Sequence, residues 1–315
     1  MGALAVLRRL DCADFEIVGK HDRPVIAVLG GISATRHVTA GQSRCGGWWQ
    51  DVVGPRKAVD TDTCSVLSFD YVAQNPDGQC ARSSDQAHQL ARVMDVAGVD
   101  KVQTIVGASY GGMVALSFAA LYPHRVGSLV VISAAHASHP MATGLRSMQR
   151  RVVELGMSTD RGRDALKIAR GIAMTTYRTA EEFADRFSTE PNDADSESFP
   201  VEDYLMQCGE RFANSFTPAR FVSLSLSLDL HYVIPEEIQV PTTLVSVDTD
   251  ALVPPWQMRE LASRLGGPSR LIELKSRYGH DAFLKEPRAM SEVIAASLSS
   301  NGCHSNKVLC NERSI

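Results

Sequence analysis

Apolar residues in this chain fall into short, nearly continuous runs separated by longer amphipathic stretches. The runs lie at 25–29 (VIAVL), 66–69 (VLSF), 102–106 (VQTIV), 128–132 (SLVVI), 243–247 (TLVSV) and 270–274 (RLIEL). They are β-branched and do not alternate with polar residues. That pattern predicts strands buried on both faces, as in a parallel sheet. Between them, 85–97, 111–121, 256–265 and 287–298 read as helices. Strand–helix alternation of this kind predicts a doubly wound α/β domain.

The alternation breaks from about residue 140 to 235, where no convincing strand appears. GLRSMQRRVVELG, RDALKIARGIAM, AEEFADRF and VEDYLMQCGERFANSF read as helices, with the polar, acidic loop STEPNDADSESFP between two of them. The expected organisation is a core from 1–138 and 236–300, interrupted by a helical insertion at 139–235. Ligands bind at the carboxyl edge of such sheets, so an insertion between two strands there is expected to act as a lid. The polar, aperiodic segment 301–315 is expected to be a disordered tail.

Composition narrows the class. The chain has 315 residues, a hydrophobic fraction of 44% and a net charge of −4. No basic bias points to nucleic acid, and no Lys/Arg cluster points to an anionic membrane surface. The longest uncharged apolar-rich run, 111–122, is far below the ~20 residues a membrane helix needs. No signal-peptide pattern opens the chain. Seven scattered cysteines without a C-x-x-C fit free thiols in a cytoplasmic setting. His136 and His139 form an H-x-x-H with no second ligand pair, so no metal is expected.

The candidate chemistry lies in GASYGG, directly after the VQTIV run and before a helical run. Gly107-Ala108-Ser109-Tyr110-Gly111 fits G-x-S-x-G. Three fixed positions are weak alone: with Gly and Ser each near ~7%, a chain this long contains one by chance roughly one time in ten. The strand–turn–helix context is what a nucleophile elbow requires. A serine also needs a general base and an acid to orient it, in the chain order Ser, acid, His. Asp248 and Asp250 follow a late strand; the Asp-x-x-Val-Pro pattern favours Asp250. His280 follows the next strand and is the expected base. Backbone N–H groups of Ile32, in the loop after the first core strand, and of Tyr110 are the expected oxyanion donors.

Several stretches resemble the α/β-hydrolase-fold homoserine O-acyltransferases. They are GGWWQDVVGPRKAVDTD, GASYGGMVALSFAALYPHRV, ARGIAMTTYRT, FPVEDYLMQCGERFANSFTPARFVSLSLSLDLH, DTDALVPPWQ and YGHDAF. The closest likeness is to a shorter subgroup described as succinyltransferases. The resemblance implies a mostly parallel sheet flanked by helices with a helical lid. It implies transfer of an acetyl or succinyl group from acyl-CoA, through Ser109, to L-homoserine in methionine biosynthesis. It carries the roles of nucleophile, acid and base onto Ser109, Asp250 and His280, and homoserine binding onto Arg170, Tyr177 and Asp281. An arginine for the carboxylate and an aspartate for the ammonium make chemical sense. Acyl-CoA is then a co-substrate, with no resident cofactor, and a homodimer through the lid helices is an option. The chain departs from the family pattern in GGISA after the first core strand and in SFDYVAQNPDGQCARSSDQ. Few residues precede Val25, so the family's opening antiparallel strands are expected to be reduced or missing. The donor, serine instead of homoserine as acceptor, and an esterase or thioesterase activity on the same triad stay open.

Overall fold

A computed structural model describes residues 13–20, 22–40, 46–193 and 197–299. The tail expected at 301–315 lies outside these residues, as do Cys12, Cys45, Cys303 and Cys310.

Among the described residues nine strands run in chain order: β1 (Phe15–Val18), β2 (Val25–Leu29), β3 (Val53–Gly54), β4 (Val59–Asp60), β5 (Ser65–Phe69), β6 (Val102–Ala108), β7 (Val126–Ile132), β8 (Thr242–Val247) and β9 (Ser269–Leu274). Ten helices accompany them: α1 (Ser83–Val96), α2 (Tyr110–Leu121), α3 (Pro140–Met157), α4 (Gly162–Tyr177), α5 (Ala180–Arg186), α6 (Pro200–Ala213), α7 (Pro218–Asp229), α8 (Pro255–Arg264), α9 (Ala282–Lys285) and α10 (Pro287–Ser299). Seven strands form one sheet in the order β1-β5-β2-β6-β7-β8-β9. Every pairing is parallel except β1 with β5. This is the α/β-hydrolase fold. Of the opening antiparallel strands expected to be reduced or missing, the described residues show β1 at the edge of the sheet.

Alternate residues of the central strands serve two cores. Leu29, Leu67, Leu129, Val131 and Leu244 face Leu90 of α1, Leu116 of α2 and Leu261 of α8. Val28, Val66, Val106, Val130 and Val245 face Trp49, Val53, Val59 and Ile294 of α10. This double burial is why the strands read as unbroken apolar runs. Helix α2 is buried on nearly its whole circumference, which matches its apolar composition.

Helices α3–α7 stand between β7 and β8. Val153, Leu166, Ala169, Phe221 and Leu224 join the same core cluster as the α1–α2 side of the sheet. The inserted helices are thus continuous with the main core. Helix α7 is not among the helical stretches expected above. Its run FVSLSLSL alternates like a strand, but Ser223, Ser225 and Ser227 are buried on the helix and make hydrogen bonds or pack within it. Thr217 caps its start by accepting from the Arg220 N–H.

Candidate active site

The turn from β6 to α2 holds Ser109 at φ 54°, ψ −121°, a conformation L-residues seldom adopt. Flanking glycines permit it. A Cβ on Gly107 would lie 2.4 Å from the Gly111 carbonyl oxygen, and one on Gly111 would lie 2.2 Å from that of Leu29. Both contacts are with backbone, which cannot yield cheaply.

His280 meets Ser109 across the sheet's carboxyl edge. The Ser109 hydroxyl donates to His280 Nε2 at 2.8 Å, and His280 Nδ1 donates to Asp250 Oδ2 at 2.8 Å. An ionised carboxylate only accepts, so the Nδ1 proton faces Asp250 and Nε2 is left to take the serine proton. The other Asp250 oxygen accepts from the Leu252 and Val253 N–H groups at 2.9 and 3.0 Å. Asp250 is buried; Asp248 is exposed and accepts from the Ser276 N–H. The geometry therefore brings Asp250, not Asp248, to the histidine. Burial disfavours the imidazolium of His280, but the charge and hydrogen bond of Asp250, joined by the charge of Asp281, outweigh it and raise the pKa above the usual histidine value.

Tyr110 opens α2, so its N–H has no acceptor within the helix and lies next to the serine. The next N–H, of Gly111, is consumed by the Gly30 carbonyl at 2.9 Å. That carbonyl also accepts from Tyr71 Oη at 2.8 Å, which pins the loop carrying Ile32 against the elbow. Ile32 and Ser109 line one cavity of about 210 Å³, together with Trp48, Arg146, Arg170, Tyr177, His280 and Asp281. Six of the eight expected residues thus line the cavity; Asp250 reaches it through its hydrogen bond to His280, and Tyr110 follows Ser109 at the start of α2.

A family model described as the alpha/beta hydrolase fold matches residues 41–287. The chain is 36% identical to a homoserine O-succinyltransferase of Xanthomonas campestris over 91% of its own length and 79% of the relative. It is 33% identical to a homoserine O-acetyltransferase of Thermus thermophilus, covering 80% of this chain and 72% of the relative. The chain belongs to the homoserine O-acyltransferase family. It is an acyltransferase. Among solved structures, an esterase superposes with a TM-score of 0.79 at 20% identity, covering 90% of this chain and 93% of the esterase. That likeness concerns the fold alone, which transferases and hydrolases share.

In the acyltransferase, Arg170 and Asp281 have partners that motif reading did not anticipate. Arg170 lies over the rings of Tyr177 (5.4 Å) and Phe212 (4.9 Å). No carboxylate pairs with it among the described residues. Asp281 is buried, and its Oδ2 accepts from Arg178 Nε at 3.1 Å. Arg178 in turn donates to Glu182 at 3.0 Å. Arg178 sits one position after the Tyr177 singled out by motif, and only the end of α4 carries it to Asp281.

Two more arginines were missed. Arg146 Nε and Arg150 Nη1 both donate to Asp229, at 2.7 and 2.6 Å. One carboxylate faces two guanidinium groups, which leaves an excess positive charge on the cavity wall at Arg146. The signal available was the basic run at 146–151, but basic residues on a helix face are ordinarily solvated. The tryptophan pair, by contrast, is architectural as well as cavity-lining. Trp48 and Trp49 stack at 5.3 Å; Trp49 Nε1 donates to the Phe283 carbonyl at 2.9 Å and so ties its loop to the histidine segment. His136 and His139 are used separately: His139 accepts from the Met141 N–H at the start of α3, while His136 faces Glu260 and Arg264.

Proposed function

We propose that the enzyme moves an acyl group from acyl-CoA to the hydroxyl of L-homoserine through a covalent acyl-Ser109 intermediate, as a step of methionine biosynthesis in the cytoplasm. The observation that carries this reading is the Ser109–His280–Asp250 relay opening on a cavity that also holds Arg170 and Asp281. In the first half-reaction His280 Nε2 takes the Ser109 proton as Oγ attacks the thioester carbonyl. The oxyanion is held by the N–H groups of Tyr110 and Ile32, each contributing roughly 3–4 kcal/mol in the transition state. Collapse expels the CoA thiolate, which takes the proton from His280. In the second half the homoserine hydroxyl gives its proton to His280 and attacks the acyl carbonyl; Ser109 Oγ then leaves and takes that proton back from His280.

Arg170 and Asp281 are placed to receive the acceptor's carboxylate and ammonium. Tyr177 flanks them with its ring 6.0 Å from that of His280. The excess charge at Arg146 supports a donor whose acyl group ends in a carboxylate, so succinyl-CoA is the favoured donor over acetyl-CoA. The inserted helices contribute Arg146, Arg170 and Tyr177, which supports a lid role for them.

The test is release of free CoA from succinyl-CoA and from acetyl-CoA, each with and without L-homoserine. Release should depend on homoserine, be faster with succinyl-CoA, and fall by at least about 10⁴-fold in Ser109→Ala. Equal release without homoserine would make the enzyme a thioesterase and overturn transfer. A preference for acetyl-CoA would overturn the donor assignment alone.

A further inference from the structure

A second cavity, of about 600 Å³, adjoins the catalytic one. The two share Trp48, Arg170, Asp281 and Leu284 in their walls. Five cations line the second cavity: Arg170, Arg178, Arg186, Arg211 and Lys285. The carboxylates that reach them are Asp281 and Glu182. Arg178 pairs with both, and Arg186 pairs with Glu182 at 3.3 Å. Among the described residues no carboxylate pairs with Arg211 or Lys285. Arg211 only donates to Cys208 Sγ, at 3.3 Å. The cavity wall thus carries an excess of positive charge directed at solvent-filled space, while the whole chain is net negative at −4. Such local focusing recruits a polyanion.

We propose that this cavity is the site for the phosphate-bearing nucleotide end of the acyl donor, with Arg211 and Lys285 as the principal phosphate ligands. The proposal rests on the acyl-CoA reading above. CoA has three phosphate groups at one end and an uncharged pantetheine arm leading to the thioester. A site for it needs cations at a distance from the nucleophile and a wall shared with the nucleophile's cavity. Here the cations line the second cavity, and the wall it shares with the cavity of Ser109 carries Trp48 and Leu284 beside Arg170 and Asp281. Arg170, on the shared wall, stays available to the amino acid carboxylate. Arg186 lies 4.2 Å over the ring of Tyr204 and extends the basic wall beside a flat aromatic surface.

The test compares full-length and truncated donors. For succinyl-CoA and acetyl-CoA, the double variant Arg211→Ala/Lys285→Ala is expected to raise KM by at least about fivefold, more at low salt than at high. With the matching acyl-pantetheine, which lacks all three phosphates, KM should change less than about twofold relative to wild type. A smaller rise with acyl-CoA, or an equal rise with both donors, overturns the site. Cys208 lines the same cavity. Bound 3′-phospho-ADP, which has no thiol, should slow alkylation of Cys208 as read by mass spectrometry, and absence of protection also counts against the proposal. Wild-type enzyme that transfers no acyl group from any CoA thioester, yet releases p-nitrophenol from short esters, would instead defeat the donor reading itself.

Discussion

Asp250 does two jobs at one histidine. It fixes the tautomer by accepting from Nδ1, and it raises the pKa of the imidazole that must work as a base. A base acts in its deprotonated form, so the raised pKa moves the acid limb of the rate profile upward. Asp250→Asn should therefore shift the acid limb of kcat/KM to lower pH, while the plateau falls by about 10⁴-fold as the tautomer is lost. A pH–rate profile of both forms checks it; an unmoved limb would mean that another group sets the titration. Asp281 invites a different measurement. Its Oδ2 is already bonded to Arg178, so an incoming ammonium would share the carboxylate with a buried guanidinium. Asp281→Asn should raise KM for homoserine by about tenfold, with a smaller effect on kcat. An unchanged KM would remove Asp281 from acceptor binding.

The β6–α2 elbow links backbone strain to chemistry. Ser109 holds a positive φ only because β6 and the largely buried α2 clamp it from both sides. Gly111 lets the helix pass close to β2, where its N–H reaches the Gly30 carbonyl. In Gly111→Ala the new methyl meets the Leu29 backbone, so either α2 or β2 must shift. We expect destabilisation of roughly 3 kcal/mol or more, seen as a lower urea midpoint, together with loss of activity from a displaced Ser109. Near-native stability in that variant would show that the elbow can relax. Gly-x-Ser-x-Gly was legible as a pattern, but the contact that makes Gly111 necessary is with Leu29, some eighty positions away, whereas Gly107 is required by the backbone of Gly111 itself.

Core and insertion are joined at His231, just after α7. Its Nδ1 meets Ser83 Oγ of α1 at 2.7 Å and its Nε2 meets the Ala135 carbonyl, after β7, at 3.1 Å. Burial holds this imidazole neutral and lowers its pKa to about 3. His136 is lowered by burial in the same sense. An unfolded histidine binds a proton below about pH 6.5, so the unfolded state binds more protons as pH falls. Stability is complete above that value and is lost on acidification towards pH 3. His231 alone should cost about 2 kcal/mol at pH 5. His280 acts oppositely: its raised pKa adds stability as pH falls to 6.5 and then contributes a constant amount. Urea denaturation between pH 7 and 5 should give a steep loss in the wild type and a shallower slope in His231→Gln. Equal slopes would place the acid sensitivity elsewhere.

Local physics made much of this protein readable before folding. Double burial in a parallel sheet demands unbroken apolar runs, and β2, β5, β6, β7 and β8 announced themselves in that way, while the half-buried edge strand β9 showed a weaker run of the same kind. The order Ser109, Asp250, His280 follows from strand order, which chain order largely sets. Asp-x-x-Val-Pro pointed to Asp250 because that turn folds its own N–H groups back onto the carboxylate. Charge pairing was different. Whether an arginine is solvated, neutralised or facing a cavity depends on which carboxylates packing brings within a few ångströms, and those lie far away in the chain. Arg178 with Asp281, Arg146 and Arg150 with Asp229, and the state of Arg211 and Lys285, which meet no carboxylate among the described residues, were therefore settled only by the packing of α3–α7 and α9. So was the helical state of FVSLSLSL, whose alternating serines favour a strand locally until burial against Ala73, Arg150 and Tyr110 gives each hydroxyl a partner.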